Sequence, residues 1–193
     1  MRMRYTAVAF DFFGVLCSHV APRWLAEHCG PERIGEVREQ VLNKVDSGEI
    51  SQGEMFERLA GVAGLQTGVV EEQWYALAIV DPEMTTMLRE LRPSVKLALL
   101  SNASWPFVRS LLRHADIEKL FDCIIISSEC RHTKPAPAIY NVLLDVLGEL
   151  AATVIFVDDA VENVRGATNV GITGIQFQSP RHLRTVLEDM AVL

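Results

Sequence analysis

Cysteine is scarce in this chain and falls into no pattern. Cys17, Cys29, Cys123 and Cys130 form no CxxC pair and stand beside no cluster of histidines. Neither a zinc site nor a disulfide framework is indicated, which leaves reduced core thiols in a cytoplasmic protein as the expectation. Cys17 has no cationic neighbour that would activate it. Positive charge is short as well. The formal net charge is -7, which argues against a nucleic-acid partner, because proteins that bind a phosphate backbone carry a basic face. Long apolar runs are missing too. None approaches the ~20 residues of a membrane span. MRMR resembles the opening of a signal peptide, but Asp11 interrupts the apolar run behind it. A soluble, unexported protein without a membrane partner is expected, as a monomer or homodimer. There is also no internal repeat and no low-complexity linker. At 193 residues, 49% of them hydrophobic, the chain fits one compact domain or a domain carrying an insertion.

Five short apolar runs are present: YTAVAF before Asp11, VKLALL before Ser101, CIIIS around Ile125, TVIFV before Asp158, and GITGIQF near Ile175. Their apolarity is continuous rather than alternating, as in strands buried on both faces of a parallel sheet. Helical patterns separate the last four: WPFVRSLLRHAD, PAIYNVLLDVLGEL and AVENVRGATNVG, with Gly171 placed as a helix stop. Strand and helix therefore alternate, which implies right-handed crossovers and a three-layer α/β/α, doubly wound parallel sheet.

One segment departs from the alternation. From about Cys17 to Val80 there is no strand pattern, while WLAEHC, IGEVREQVLNKV, GEMFERLAGVAG and VVEEQWYALAIV have helical spacing, with SQGE from Ser51 to Glu54 as a capping box. Asp81-Pro82 marks the return to the core. The expected organisation is a core of residues 1–16 and 81–193 with an all-helical cap of residues 17–80. That cap would stand over the carboxyl end of the first strand, where ligands of open α/β sheets bind.

Polar residues follow these strands. The first strand ends at Asp11, the second at Ser101-Asn102 and the fourth at Asp158-Asp159, while Lys134 lies in the loop after the third. Each has an ordinary reading alone. Ser101 could cap a helix, Asp158 and Asp159 could do the same and favour its dipole, Lys134 could be solvated, and Asp11 could sit in a turn. Jointly they place a carboxylate, a hydroxyl, an amine and paired carboxylates at one sheet edge, which favours a functional site.

These residues resemble the four motifs of the haloacid dehalogenase superfamily: Asp11 with GVL behind it, LALLSN, Lys134 in KPAPAIY, and VDDAVENV. The cap, with DSGEIS and EMFERL, resembles the family's helical insert. The nearest likeness is to sugar-phosphate phosphatases and the N-terminal phosphatase domain of soluble epoxide hydrolase. The resemblance implies a Mg²⁺-dependent phosphatase acting on a small phosphorylated molecule. Asp11 would attack phosphorus to form an aspartyl phosphate. Mg²⁺ would take Asp11, the backbone carbonyl of Phe13 and Asp158, with Asp159 nearby through water or holding Lys134. Ser101 and the Asn102 amide would grip phosphate oxygens, and Lys134 would offset charge.

Phe13 departs from the pattern, because phosphatases of this superfamily commonly carry a second aspartate there to protonate the leaving oxygen and activate water. Losing such a group costs typically ~10²–10⁴ in rate. An anomeric or acyl phosphate, for example a sugar 1-phosphate, would need less protonation. His19 at the mouth of the cap is the first candidate for a replacement base and His132 the second, since histidine titrates near neutral pH. His19 and Arg23 are candidate substrate contacts, with Trp24 and Trp105 beside them; each could equally pack or snorkel along the cap. Two other functions remain open. A metal-free 2-haloacid dehalogenase is supported by an aromatic residue at position 13 and opposed by the paired acids. A scaffold or phospho-ligand binder would have lost turnover with the second aspartate.

Overall fold

A computed structural model describes residues 5–193, so the MRMR start lies outside the described residues. Each apolar run forms one strand: β1 (Ala7–Phe10), β2 (Lys96–Ser101), β3 (Cys123–Ile126), β4 (Val154–Asp158) and β5 (Thr173–Gln176). All neighbours pair in parallel, in the order β3-β2-β1-β4-β5. The chain leaves β1 in one direction to build β2 and β3, then crosses back to build β4 and β5. That reversal puts the topological switch at the carboxyl end of β1, between β2 and β4, and opens a crevice there.

Between β1 and β2 come α1 (Ala21–His28), α2 (Pro31–Val37), a π-helical turn (Arg38–Leu42), α3 (Asn43–Asp46), α4 (Gln52–Ala63), α5 (Thr67–Leu77) and α6 (Pro82–Leu91). After β2 the helices of eight residues or more alternate with strands: α7 (Trp105–His114), then a short α8 (Ser127–Cys130) with α9 (Pro137–Leu147), α10 (Val161–Asn169) and α11 (Pro180–Asp189). Alternate strand residues point to opposite faces. Val8, Phe10, Leu97, Leu99, Ile155 and Val157 join a core shared with α6, α7 and α11. Ala7, Ala9, Ala98, Leu100 and Phe156 join a second core with Ile139, Tyr140 and Leu143 of α9 and Ala167 of α10. With both faces covered, no strand shows an alternating polar pattern.

Local chemistry sets the helix starts. Asp81 begins α6: its Oδ1 accepts the N–H groups of Glu83 and Met84 at 2.7 and 3.2 Å, and Pro82 occupies the first turn, where no N–H is needed. Ser51 Oγ accepts the Glu54 N–H at 3.1 Å. The capping box is half made, because the Glu54 carboxylate turns to Arg58 at 2.6 Å one turn on.

IGEVREQVLNKV does not form one uniform α-helix. The π turn at Arg38–Leu42 divides it, with the Asn43 N–H bonded to the Arg38 carbonyl. A single wide turn of this kind rotates the later residues of the helix relative to the earlier ones, an effect that apolar spacing does not encode. The two chain crossings that flank α1–α5 lie side by side: the Ser18 N–H donates to the Ile79 carbonyl and the Asp81 N–H to the Leu16 carbonyl, both at 2.9 Å. The apolar core runs on through Leu25, Leu42, Met55, Leu59 and Val70. Among the described residues no helix is long and apolar enough to cross a membrane. The four cysteines are free. Burial pushes the Cys17 thiol up to about 12 and that of Cys123 to about 11, so both behave as small apolar core groups.

Candidate active site

Asp11 directly follows β1, and its N–H donates to the Val157 carbonyl at 2.9 Å, which extends the parallel ladder by one residue. The carboxylate therefore stands at the switch point. Lys134 reaches it from the loop after α8: Nζ lies 2.8 Å from Asp11 Oδ1 and 2.6 Å from Asp158 Oδ2. Asp158 is fully buried and Lys134 only 4% exposed. A cation so deep would be driven towards its neutral form by burial alone, but Asp11 and Asp158 together hold Lys134 above the usual lysine range. Burial also dominates at Asp11 and raises its carboxyl, with Lys134 pulling the other way and Asp158 adding to the rise.

The ends of β2 and β4 fix this cluster. The Asn102 side chain clamps the Lys134 backbone, donating Nδ2 to its carbonyl at 2.9 Å and accepting its N–H at 2.8 Å through Oδ1. The carboxamide is thereby committed to the lysine loop and does not reach for a phosphate oxygen, which corrects one reading of the Asn102 amide. Asp158 accepts from the Ala160 N–H at 2.8 Å and from Asn163 Nδ2 at 3.1 Å on each oxygen, and the Asn163 carbonyl accepts from the Tyr140 hydroxyl at 2.7 Å. Lys134 Nζ also lies 5.4 Å from the centre of the Phe156 ring.

Ser101 is buried and its Oγ has no hydrogen-bond partner among the described residues. A dry, unpaired hydroxyl costs about 1–3 kcal/mol. It is not a helix cap: the residue before α7 is Ser104, whose hydroxyl donates to Gln52 Oε1 at 2.9 Å.

Asp11, Asp158 and Asp159 can each offer one oxygen within 4.8 Å of the others. Three carboxylates with one ammonium leave negative charge in surplus, and an all-oxygen donor set fits a hard divalent cation such as Mg²⁺. Asp159 does not hold Lys134, which is taken by Asp11 and Asp158. It pairs with His19, whose Nε2 is 3.2 Å from Asp159 Oδ2.

Beside the cluster is a cavity of about 290 Å³, lined by Asp11, Phe13, His19 and Asp159 from the first and last motifs. Arg38, Leu42, Asp46, Met55 and Trp74 line it from the helical segment, and Asn102 and Phe107 from the core. Phe13 stands edge-on to Phe12, with ring centres 4.9 Å apart, and lies stacked on Phe107 at 5.8 Å. It forms an aromatic wall.

Several expected contacts lie elsewhere. Arg23 is exposed and does not line the cavity, because α1 turns Trp24 and Leu25 into the core instead. Trp24 is fully buried and donates Nε1 to Gln73 at 2.9 Å, so it has no free face for a ligand. Trp105 and His132 are exposed and outside the lining. The arginine and tryptophan that do line it, Arg38 and Trp74, were not signalled. Arg38 sits in the π turn, and Trp74 reads as one more apolar helix position. Asn163 was within reach of the sequence, since VDDAVENV places it one helical turn after the paired aspartates.

Gly14 joins the motif to its surroundings. Its φ is +89°, and a Cβ there would stand 2.5 Å from His19 Cε1 and 2.8 Å from Asp159 Cγ. A Gly14→Ala variant is expected to lose about 1–2 kcal/mol of stability from the left-handed backbone. It should also displace the His19–Asp159 pair, which urea denaturation and the His19 ring signals in NMR would register.

N-acylneuraminate-9-phosphatase of Mus musculus is 33% identical over 95 residues, 49% of this chain and 38% of that protein. The chain thus spans well under half the length of that curated relative. Among solved structures, a haloacid dehalogenase family enzyme from Bacteroides thetaiotaomicron, in complex with magnesium and inorganic phosphate, superposes with a TM-score of 0.78 at 19% identity, covering 93% of this chain and 98% of its own. L-2-haloacid dehalogenase from Xanthobacter autotrophicus, with chloropropionic acid covalently bound, gives 0.66 at 25% identity over 98% of this chain and 84% of its own. The family model for haloacid dehalogenase-like hydrolases matches residues 5–171, from the start of the described chain to the glycine two residues past α10. With its strand-end aspartates and buried lysine in one crevice, the chain belongs to the haloacid dehalogenase-like hydrolase family.

Proposed function

We propose that this protein is a Mg²⁺-dependent phosphatase of small phosphorylated metabolites, with Asp11 as nucleophile. The observation that carries the reading is the buried excess of carboxylate over ammonium at the switch point, beside an unpartnered serine hydroxyl. Such a centre is balanced by a divalent cation, and it suits a tetrahedral anion placed between cation, hydroxyl and ammonium. Asp11, Asp158, Asp159 and the Phe13 carbonyl would hold Mg²⁺, which neutralises charge on the phosphoryl group. Asp11 attacks phosphorus as the leaving oxygen departs, and water then hydrolyses the aspartyl phosphate. Lys134, gripped by Asn102, keeps Asp11 oriented and compensates its charge. Ser101 Oγ supplies a hydrogen bond, and any grip from Asn102 comes from its backbone N–H. We further infer that the cap of residues 17–80 shapes the substrate end. Arg38 at the cavity mouth serves as the distal anion contact in place of Arg23, and His19 beside Asp159 as a substrate contact. A cavity of about 290 Å³ admits a small metabolite, and a sugar 1-phosphate fits a centre whose position 13 carries no acid.

The aromatic wall at Phe13 favours a second reading, the dehalogenase, whose nucleophile would displace halide from carbon without a metal. Hydrolysis of an aryl phosphate and of 2-chloropropionate, each with Mg²⁺ and with EDTA, separates the two. Phosphate release that EDTA abolishes and Mg²⁺ restores is the expected result. Halide release insensitive to EDTA would overturn it in favour of the dehalogenase, and silence on both would leave a ligand-binding scaffold.

A further inference from the structure

We propose that Asp46 is the acid/base group that Phe13 cannot be, presented to the cavity from the end of α3 rather than from the nucleophile's own loop. The inference rests on the phosphatase reading above. Asp46 lines the same cavity as Asp11 and Phe13, and also an adjoining cavity lined by Lys134 and Asn102. Of the described acidic residues in the helical segment, it alone lines the cavity shared with Asp11 and Phe13.

Its position is built rather than incidental. The Asp46 carbonyl accepts a 2.6 Å hydrogen bond from Ser127 Oγ, which in turn accepts the Ala103 N–H, and this ties α3 to the loop after β2. Two residues on, Gly48 at φ +75° approaches the Ser128 carbonyl so closely that a Cβ would stand 2.5 Å from its oxygen. The side chain, by contrast, forms no salt bridge among the described residues. Charged and titratable groups around it are Lys134, Asp11 and Asp159 from the core, His19 and Arg38 from the segment between β1 and β2, and Glu39, Lys44 and Glu49 around the adjoining cavity. Burial pushes its carboxyl up to about 7, Lys134 and Arg38 opposing and Asp11 adding to the rise. A carboxyl poised there can donate and accept a proton at neutral pH. His19 is placed less well for the task, because its Nε2 is already engaged by Asp159.

In the first step an Asp11 oxygen bonds to phosphorus and the P–O bond to the leaving group breaks. The leaving oxygen takes the bond's electron pair and the Asp46 proton. In the second step water bonds to phosphorus, its proton passes to the Asp46 carboxylate, and the Asp11–phosphorus bond breaks. That frees Asp11 and phosphate and returns Asp46 to its acid form.

The test compares wild type and Asp46→Asn on a primary-alcohol phosphate and on p-nitrophenyl phosphate, whose leaving group needs no proton. The expected result is a loss in kcat/KM of ~10²–10⁴ on the alcohol phosphate. On the aryl ester kcat/KM should be nearly unchanged, with a burst of p-nitrophenol as phosphoenzyme accumulates. The fall of kcat/KM for the alcohol phosphate as pH rises through about 7 should vanish in the variant, because the working form in that step is the protonated one. Should Asp46→Asn lose its cooperative melt, Asp46→Ser repeats the comparison. Equal losses on both esters, or none on either, would overturn the role of Asp46 while leaving the phosphatase intact. A wild type that releases phosphate from neither ester sinks the reading of the site and this role with it.

Discussion

An Asp11→Asn variant is expected to lose phosphatase turnover by on the order of 10⁴–10⁶-fold, the scale seen when a covalent nucleophile is removed. Asparagine keeps the shape of the residue and an oxygen to accept from Phe12 N–H, which lies 2.7 Å from Asp11 Oδ1. It also leaves Lys134 with Asp158 as a counter-charge. The fold should therefore persist, and the loss should belong to chemistry. Phosphate release under substrate saturation measures it, and trapping labelled phosphate on the wild type but not on the variant assigns it. Turnover within tenfold of wild type would remove Asp11 from the nucleophile's role.

A Lys134→Met variant should be the most destabilising single change at the site. It removes the cation between Asp11 and Asp158 while nearly keeping side-chain volume, so two buried carboxylates face each other unpaired. Breaking a buried pair in this way costs about 3–5 kcal/mol. The urea midpoint should fall accordingly. Added Mg²⁺ should recover more stability in the variant than in wild type, since a cation on Asp11, Asp158 and Asp159 supplies charge that the methionine does not. An unchanged midpoint would mean that the lysine contributes nothing net to the folded state.

Strands and helices of the α/β core were legible because both sheet faces are covered, which leaves continuous apolar runs at β1 to β5. Strand-end chemistry was legible for a related reason: a polar residue after such a run lands at the carboxyl edge whatever the helices do. Asp11, Lys134 and Asp158 meet there within hydrogen-bonding distance. The cavity's outer wall was not legible. Arg23 and Trp24 were plausible contacts by proximity in sequence, yet the rotation of α1 sends one to solvent and the other to the core. Asp46 sits in DSGEIS, a stretch whose spacing does not reveal which of its carboxylates lines the cavity.

What the sequence by itself determined was the parallel sheet and which polar residues follow its strands, because each follows from short-range periodicity and from the direction of a strand. What only the tertiary structure decided was who partners whom. Lys134 goes to Asp11 and Asp158, Asp159 goes to His19, and Asn102 goes to the lysine loop. Arg38 of the π turn and Asp46 at the end of α3 also come together around the cavity. These pairings depend on rotations about helix axes and on contacts between residues at least 24 positions apart, which no local pattern in the chain specifies.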